Sequence, residues 1–363
     1  MTEHTYFEAN APFEAARQLV GLSASHRSGR LHGHSFVAGA RARLPTLWAN
    51  QRGADTEQLR AYLALCVQEL DGRSLNDHLA QPTDVHVAQW ICDQLHVPGV
   101  THVSVQSTPD RGVELEVGGK VQAWRRFDIQ CAHLLPHVDA KHRCARLHDH
   151  GFKVTLQAEL QAEGYATSLE YELLDEVCGS MHAGLDHRHI NIIPGLENPT
   201  MERMAAWVWE RAKVNMPSLN LVTVCEGERG ASFDGARYGA WMSMAIESES
   251  ILRYSSDDEC RPKVGKHSYV LRVYLNSPFN EDVGAVLDSA QSEELVSALH
   301  RRLEKQPLRE FPGQDGVTID HFLGWLAFET LAEWPSACRF DLYERPGYGV
   351  VLGTAPLGPL LPV

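Results

Sequence analysis

The eight cysteines (Cys66, Cys92, Cys131, Cys144, Cys178, Cys225, Cys260 and Cys338) contain no C-x-x-C pair, which argues against a disulfide framework or a Cys-rich zinc knuckle. No stretch approaches the roughly 20 consecutive apolar residues that a bilayer demands. The opening MTEHTYFEANAPFEAARQL lacks a basic segment followed by an apolar core, so no secretory signal is expected and the cytoplasm is the expected location. Positive charge is scarce. With 33 Lys and Arg against 47 Asp and Glu, the formal net charge is −14, unsuited to a nucleic-acid or anionic-membrane partner. Long Pro/Gly/Ser linkers are missing too, so whatever domains the 363 residues contain must pack closely.

Histidine, by contrast, is abundant: nineteen residues, several in clusters, which turns attention to metal chemistry. The chain also repeats itself. RLHGHSFVAGARARL from Arg30, RLHDHGFKVTLQAEL from Arg146 and KVGKHSYVLRVYL from Lys263 align on His34, His150 and His267, at steps of 116 and 117. A second landmark keeps the same period, with Thr83, Thr200 and Thr318 each followed seven residues later by Trp90, Trp207 and Trp325.

Each unit reads as an alternating strand pair, a helix such as DTEQLRAYLALCVQEL, SLEYELLDEVCGSMHAGL or SEELVSALHRRL, a Trp-bearing helix, and two more strands such as LNLVTVCEG and CRFDLYE. The fold class is therefore α+β, with three ββααββ units over 1–123, 124–240 and 241–363. Antiparallel sheets with helices on one face fit this order and leave the other face for assembly.

In a strand, residues i and i+2 share a face, so His148 and His150 can reach one ion, and a hairpin would bring His133 alongside them. Three imidazoles with an open fourth position suit a catalytic zinc. Cys144 stands four residues before His148 among Lys141, His142, Arg143 and Arg146, and such cations favour a thiolate. Spacing alone leaves it open as a base, a ligand or a buried structural thiol.

The segment FDIQCAHLLPHVDAKHRCARLHDHGF, continued by GLDHRHINIIPGLENPTMERMAAWVW and VTVCEGE, closely resembles the bacterial 6-carboxytetrahydropterin synthases and the related 6-pyruvoyltetrahydropterin synthases across essentially all of the middle unit. The resemblance implies a tunnelling fold (T-fold), zinc on His133, His148 and His150, and Cys144 as general base. It also implies Asp186 and His187 as a proton-relay pair and Glu226 as anchor of the pterin ring. A carboxylate can accept two parallel hydrogen bonds from the amino-pyrimidine edge, which suits Glu226 to that task. Thr200 is a candidate for the pterin pocket, with helix capping as the equal alternative.

The outer units depart from this pattern. In the first, Arg17 stands at the position of His133, Ser28 at Cys144, Gly72 at His187 and Ser107 at Glu226, while His32 and His34 remain. In the third, Ser250 and Gly265 replace two of the histidines, His267 remains, Cys260 is displaced by one residue, and Glu304-Lys305 stands at the Asp-His position. Glu344 keeps its interval from Thr318 and is either a surviving ring anchor or an exposed strand-end acid.

The resemblance thus implies a pseudo-trimer, paired into a homodimer of pseudo-trimers. The implied activity is a zinc-dependent carbon–oxygen lyase that converts 7,8-dihydroneopterin triphosphate to 6-carboxy-5,6,7,8-tetrahydropterin, on the route to deazaguanine nucleosides such as queuosine. The alternatives are a 6-pyruvoyl product, another pterin or purine-like reaction on the same site, or a non-catalytic pterin-binding or assembly protein.

Overall fold

The computed structural model describes residues 4–22, 25–46, 48–50, 53–160, 169–251, 264–276, 278–286, 294, 296–299, 301 and 318–353. Cys260, Glu304 and Lys305 lie outside them. The first described stretch runs β1 (His4–Arg17), β2 (His32–Ala42), α1 (Asp55–Gln68), a two-residue β3 (Arg73–Ser74), α2 (Asp84–Gln94), β4 (Val100–Thr108) and β5 (Arg111–Glu116). It continues through β6 (Val121–His133), β7 (His148–Leu160), α3 (Leu169–Leu185), α4 (Met201–Asn215), β8 (Leu219–Glu226) and β9 (Arg229–Phe233). The last stretch holds β10 (Tyr238–Ile251), β11 (Val264–Leu275), a helix here called α5 (Ile319–Glu333), β12 (Ala337–Arg345) and β13 (Tyr348–Gly353).

Twelve of these strands form one closed antiparallel barrel, in the order β1-β2-β4-β5-β6-β7-β8-β9-β10-β11-β12-β13 and back to β1. Residues 4–116, 121–233 and 238–353 each supply four consecutive neighbours. Alternation along each strand sorts the side chains. On β7, Phe152, Val154, Leu156 and Ala158 are buried in the core that also holds Leu174 and Val177 of α3, so this face looks outward at the helices. Lys153, Thr155 and Gln157 look the other way, into the barrel. The sheet face expected to serve assembly is therefore an interior wall, as twelve strands are enough to surround a lumen.

Two of the helices, α2 and α4, start at a capping threonine. Thr83 Oγ1 accepts the His86 N–H at 3.3 Å and Thr200 Oγ1 accepts the Arg203 N–H at 3.3 Å, each satisfying a donor that the first turn leaves over. Two turns on, Trp207 packs into the core and donates its Nε1–H to the Pro194 carbonyl at 3.0 Å. The recurring Thr-to-Trp interval is thus the distance from a helix cap to the residue that seats the helix on the sheet.

Closure of the barrel is reinforced from inside. Glu8 of β1 accepts from Arg41 of β2 at 2.6 Å and from the Tyr343 hydroxyl of β12 at 2.8 Å, while Arg339 pairs with Asp341 at 2.7 Å. These groups are buried, and burial of charge is tolerable only because each cation has its carboxylate.

Candidate active site

β6 and β7 form a hairpin in which His133 lies directly opposite His148 and Cys131 opposite His150. The strand period puts His133, His148 and His150 on the outward face, and one ring nitrogen from each lies within 4.8 Å of the others. Their ring centroids are 4.5 to 5.2 Å apart. Burial, reinforced by the two neighbouring rings, pushes His133 down to about 4, so it is a neutral imidazole with a lone pair to offer.

The remaining ring nitrogens are oriented by the protein. His148 Nδ1 lies 2.6 Å from the Arg146 carbonyl, to which it must donate, and His150 Nδ1 lies 2.8 Å from Glu226 Oε1. This fixes the tautomers with Nε2 as the acceptor in both rings. His133 Nδ1 and the Nε2 atoms of His148 and His150 are buried with no hydrogen bond of their own. Imidazole lone pairs converging at this spacing, with the other nitrogens of His148 and His150 held by a carbonyl and a carboxylate, are the donor set and the surrounding shell that a metal ion requires. The residues fit a metal.

A cleft opens beside them. Its lining includes His133, Cys144, Thr200, Glu202, Glu226 and Arg229. Cys144 sits in a short 3-10 turn, Arg143–Ala145, which His142 caps by accepting the Cys144 N–H on its Nδ1 at 3.2 Å. Its carbonyl accepts the Leu135 N–H at 2.7 Å, and its side chain is buried. The neighbouring Cys131 is no rival as a nucleophile, since burial, with Asp186 and Glu226 nearby, pushes its thiol up to about 12.

Thr200 does two things at once, capping α4 and donating its hydroxyl to the Gly284 carbonyl at 2.5 Å. With it, Asn198 donates to the Val283 carbonyl at 2.9 Å and Glu202 accepts the Val286 N–H at 2.9 Å. A turn from the last third of the chain therefore seals the α4 end of the cleft, and Val283 and Ala285 join its lining. Sequence reasoning missed this turn because the last third carries little of the resemblance. It also missed Arg229, although the E-G-E-R hairpin places that residue directly opposite Glu226.

Asp186 and His187 are brought together but not into this cleft, since neither is among its lining residues as described. β5 pairs with β6 only as far as Arg125, so the edge of β6 beyond it is open. There Asp186 Oδ1 accepts the Gln130 N–H at 2.8 Å, the His187 N–H donates to the Gln130 carbonyl at 2.7 Å, and the Ala132 N–H donates to the Arg188 carbonyl at 2.9 Å. Asp186 Oδ2 meets His187 Nδ1 at 2.6 Å, and the Gln130 N–H, then His187, hold the carboxyl below its ordinary range. The His187 ring is 80 % exposed, and its backbone is left-handed at φ 54, a conformation a non-glycine residue adopts only when held. In the first stretch Asp71 and Gly72 repeat the clasp on Glu14, both bonds at 2.7 Å, with Gly72 also at positive φ. The aspartate is thus part of the strand-edge architecture whether or not an imidazole follows it.

Strand register places the counterparts in the other stretches. Arg17 pairs with His32 as His133 pairs with His148, and Ser250 pairs with Gly265. Ser107 and Glu344 each follow the residue that pairs three positions beyond His34 and His267, as Glu226 follows Cys225 opposite Lys153. In the first stretch the buried Arg17 guanidinium occupies the first-ligand position and pairs with Asp84 at 2.5 Å, and the Ser107 hydroxyl donates to the same carboxylate at 2.7 Å. His34 is pushed down to about 4 by burial and then by Arg17. A fixed organic cation now stands where a metal ion would otherwise be held. Arg17→Met is expected to cost about 3–5 kcal/mol by stranding the buried Asp84, read as a lower urea midpoint of the full chain. An unchanged midpoint would mean that the pair contributes nothing.

The family model of 6-pyruvoyl tetrahydropterin synthase matches twice, over residues 6–117 and 122–234. A 6-carboxy-5,6,7,8-tetrahydropterin synthase of Synechocystis sp. is 32% identical over 110 residues, covering 28% of this chain and 84% of that protein. A dihydroneopterin monophosphate aldolase of Pyrococcus furiosus is 36% identical over 73 residues, 20% of this chain and 60% of that protein. Among solved structures, the 6-pyruvoyl tetrahydropterin synthase of Caenorhabditis elegans aligns with 20% identity over 32% of this chain and 96% of its own, at a TM-score of 0.26. The fold is a tunnelling fold, and the protein an enzyme of the lyase class. The chain belongs to the 6-pyruvoyl tetrahydropterin synthase family.

Proposed function

We propose that this chain is a zinc-dependent lyase of the 6-carboxytetrahydropterin synthase type, converting 7,8-dihydroneopterin triphosphate to 6-carboxy-5,6,7,8-tetrahydropterin in the cytoplasm as a step toward deazaguanine nucleosides. It works from the middle of three tandem T-fold units, 1–123, 124–240 and 241–363, which together make one pseudo-trimeric barrel. The observation that carries this reading is the cluster of three imidazoles whose member His133 lines one cleft together with Cys144, Glu226 and Thr200.

His133, His148 and His150 would hold the zinc, which when bound supplies Lewis-acid stabilisation of charge developing on the substrate side chain. Glu226 reaches the cleft from the end of β8 and accepts the N–H groups of the pterin edge, while its Oε1 keeps His150 turned toward the metal. Cys144 takes the carbon-bound proton as general base. Asp186 and His187, on the open edge of β6, serve the cleft of a second chain in a homodimer of pseudo-trimers, where the exposed His187 ring can pass a proton. The first and third units close the ring.

A second reading keeps the site and changes the reaction. The Pyrococcus furiosus relative is named an aldolase, and in this reading a different bond is cleaved in a related pterin, or the product is the 6-pyruvoyl compound. Mass analysis of the products from 7,8-dihydroneopterin triphosphate distinguishes these. The 6-carboxy compound is expected, and its absence alongside another pterin product would replace the leading reaction. No product at all would favour a binding or assembly role.

A further inference from the structure

The hairpin that carries Glu226 closes in a two-residue turn with Gly227 at φ 55, so Glu226 ends β8 and Arg229 opens β9 directly opposite it. Facing residues of an antiparallel pair point to the same side of the sheet, with their Cβ atoms about 4.5–5.5 Å apart. Both side chains therefore stand on the outward face, and both residues line the metal cleft. In the outer stretches the residue that opens the corresponding strand is already engaged. Arg111 opens β5 and lies 3.4 Å from Asp175 of α3, and Tyr348 opens β13 and donates its hydroxyl to Glu57 of α1 at 2.8 Å. Each thus reaches a carboxylate on the first helix of the neighbouring stretch. Arg229 does not: among the described residues it makes no hydrogen bond or ion pair, and the Glu226 carboxylate facing it is turned to His150. A part-buried guanidinium beside a cleft, without an acceptor of its own, leaves its N–H donors to whatever the cleft binds.

We propose that Arg229 is a specificity-determining residue that donates to the 4-oxo oxygen of a pterin held on Glu226. The inference rests on reading the cleft as a pterin site. Past the two N–H donors that a carboxylate takes, the amino-pyrimidine edge of a pterin continues to this oxygen, the same donor–donor–acceptor order that guanine presents. The corresponding oxygen of guanine is the one that arginine reads in nucleic acids. An acid and an arginine side by side on one hairpin match that order. A 4-amino group in place of the oxygen would bring N–H donors against a cation that has only donors itself, so Arg229 selects the oxo ring.

The test measures binding of phosphate-free pterin and of 2,4-diaminopteridine to the full chain, together with KM for 7,8-dihydroneopterin triphosphate, in the wild type, Arg229→Met and Arg229→Lys. The wild type is expected to prefer pterin, and Arg229→Met to weaken pterin binding by about ten-fold while 2,4-diaminopteridine binds as well as before or better. KM should rise by a similar factor. Arg229→Lys keeps a charged donor and should recover part of the loss. Because Arg229 has no carboxylate to strand, the Met variant should keep the wild-type melting temperature. Its metal content should also match, which separates a direct contact from an effect passed through Glu226 to His150. Pterin bound equally by the wild type and the Met variant overturns the inference and leaves the pterin site standing. The inference is overturned as well by a Met variant that loses both ring compounds alike, or by one changed only in KM for the triphosphate, which would assign Arg229 to the phosphate tail. A wild type that binds no pterin overturns this inference and the pterin reading together.

Discussion

Cys144→Ala is expected to lower turnover of 7,8-dihydroneopterin triphosphate by about 10²- to 10⁴-fold, the range that a positioned general base contributes. The substitution is a clean one. Both backbone bonds that fix the residue, from its N–H to His142 and from Leu135 to its carbonyl, survive it, so only Sγ is removed. It also separates the roles that spacing left open. A base lost from the cleft leaves the bound metal at wild-type level, a ligand lost takes metal with it, and a structural thiol lost lowers stability without such a fall in turnover. Turnover equal to wild type would remove Cys144 from the chemistry.

Glu226→Leu should weaken metal binding by about 10- to 100-fold, because His150 then loses the carboxylate that fixes its tautomer and ring plane. The same change removes the proposed acceptor for the pterin edge, so activity should fall even at saturating metal. Glu226→Gln divides the two effects. Its amide oxygen can still accept from His150 Nδ1, so metal affinity should stay near that of the wild type. The loss of charge should still raise KM for the pterin by about ten-fold or more. Competition with a chelator measures the first quantity and steady-state kinetics the second. A Leu variant that holds metal as tightly as the wild type would mean that Glu226 does not orient His150.

Much of this was legible in the sequence where the signal is local or periodic. The H-x-H of His148 and His150 fixes a shared strand face, the helical stretches read in the first two repeats coincide with α1 and α3, and the strand stretches with β8 and β12, while SEELVSALHRRL of the third lies partly outside the described residues. The repeat interval located Arg17 and Glu344, whose strand registers correspond to those of His133 and Glu226. What could not be read depends on contacts between distant parts of the chain. The pairing of β1 with β13 joins residues more than 300 positions apart and has no local signature. The placement of Asp186 and His187 follows from an unpaired edge of β6, a property of its neighbour β5 and not of the L-D-H motif. Arg17 looked like a mere loss of a ligand, yet its partner Asp84 opens a helix 67 residues later and turns that loss into a built ion pair.

The account stands on one metal site in the middle of the chain, so metal content is its most direct test. Elemental analysis of the purified full chain should find about one zinc per chain, supplied by three protein ligands and an open position, and His133→Ala should bring it close to zero. The outer stretches would contribute nothing, with Arg17 at one ligand position and Ser250 and Gly265 at two others. A wild-type value near zero or near three, or a His133→Ala protein that keeps its metal, would contradict the account.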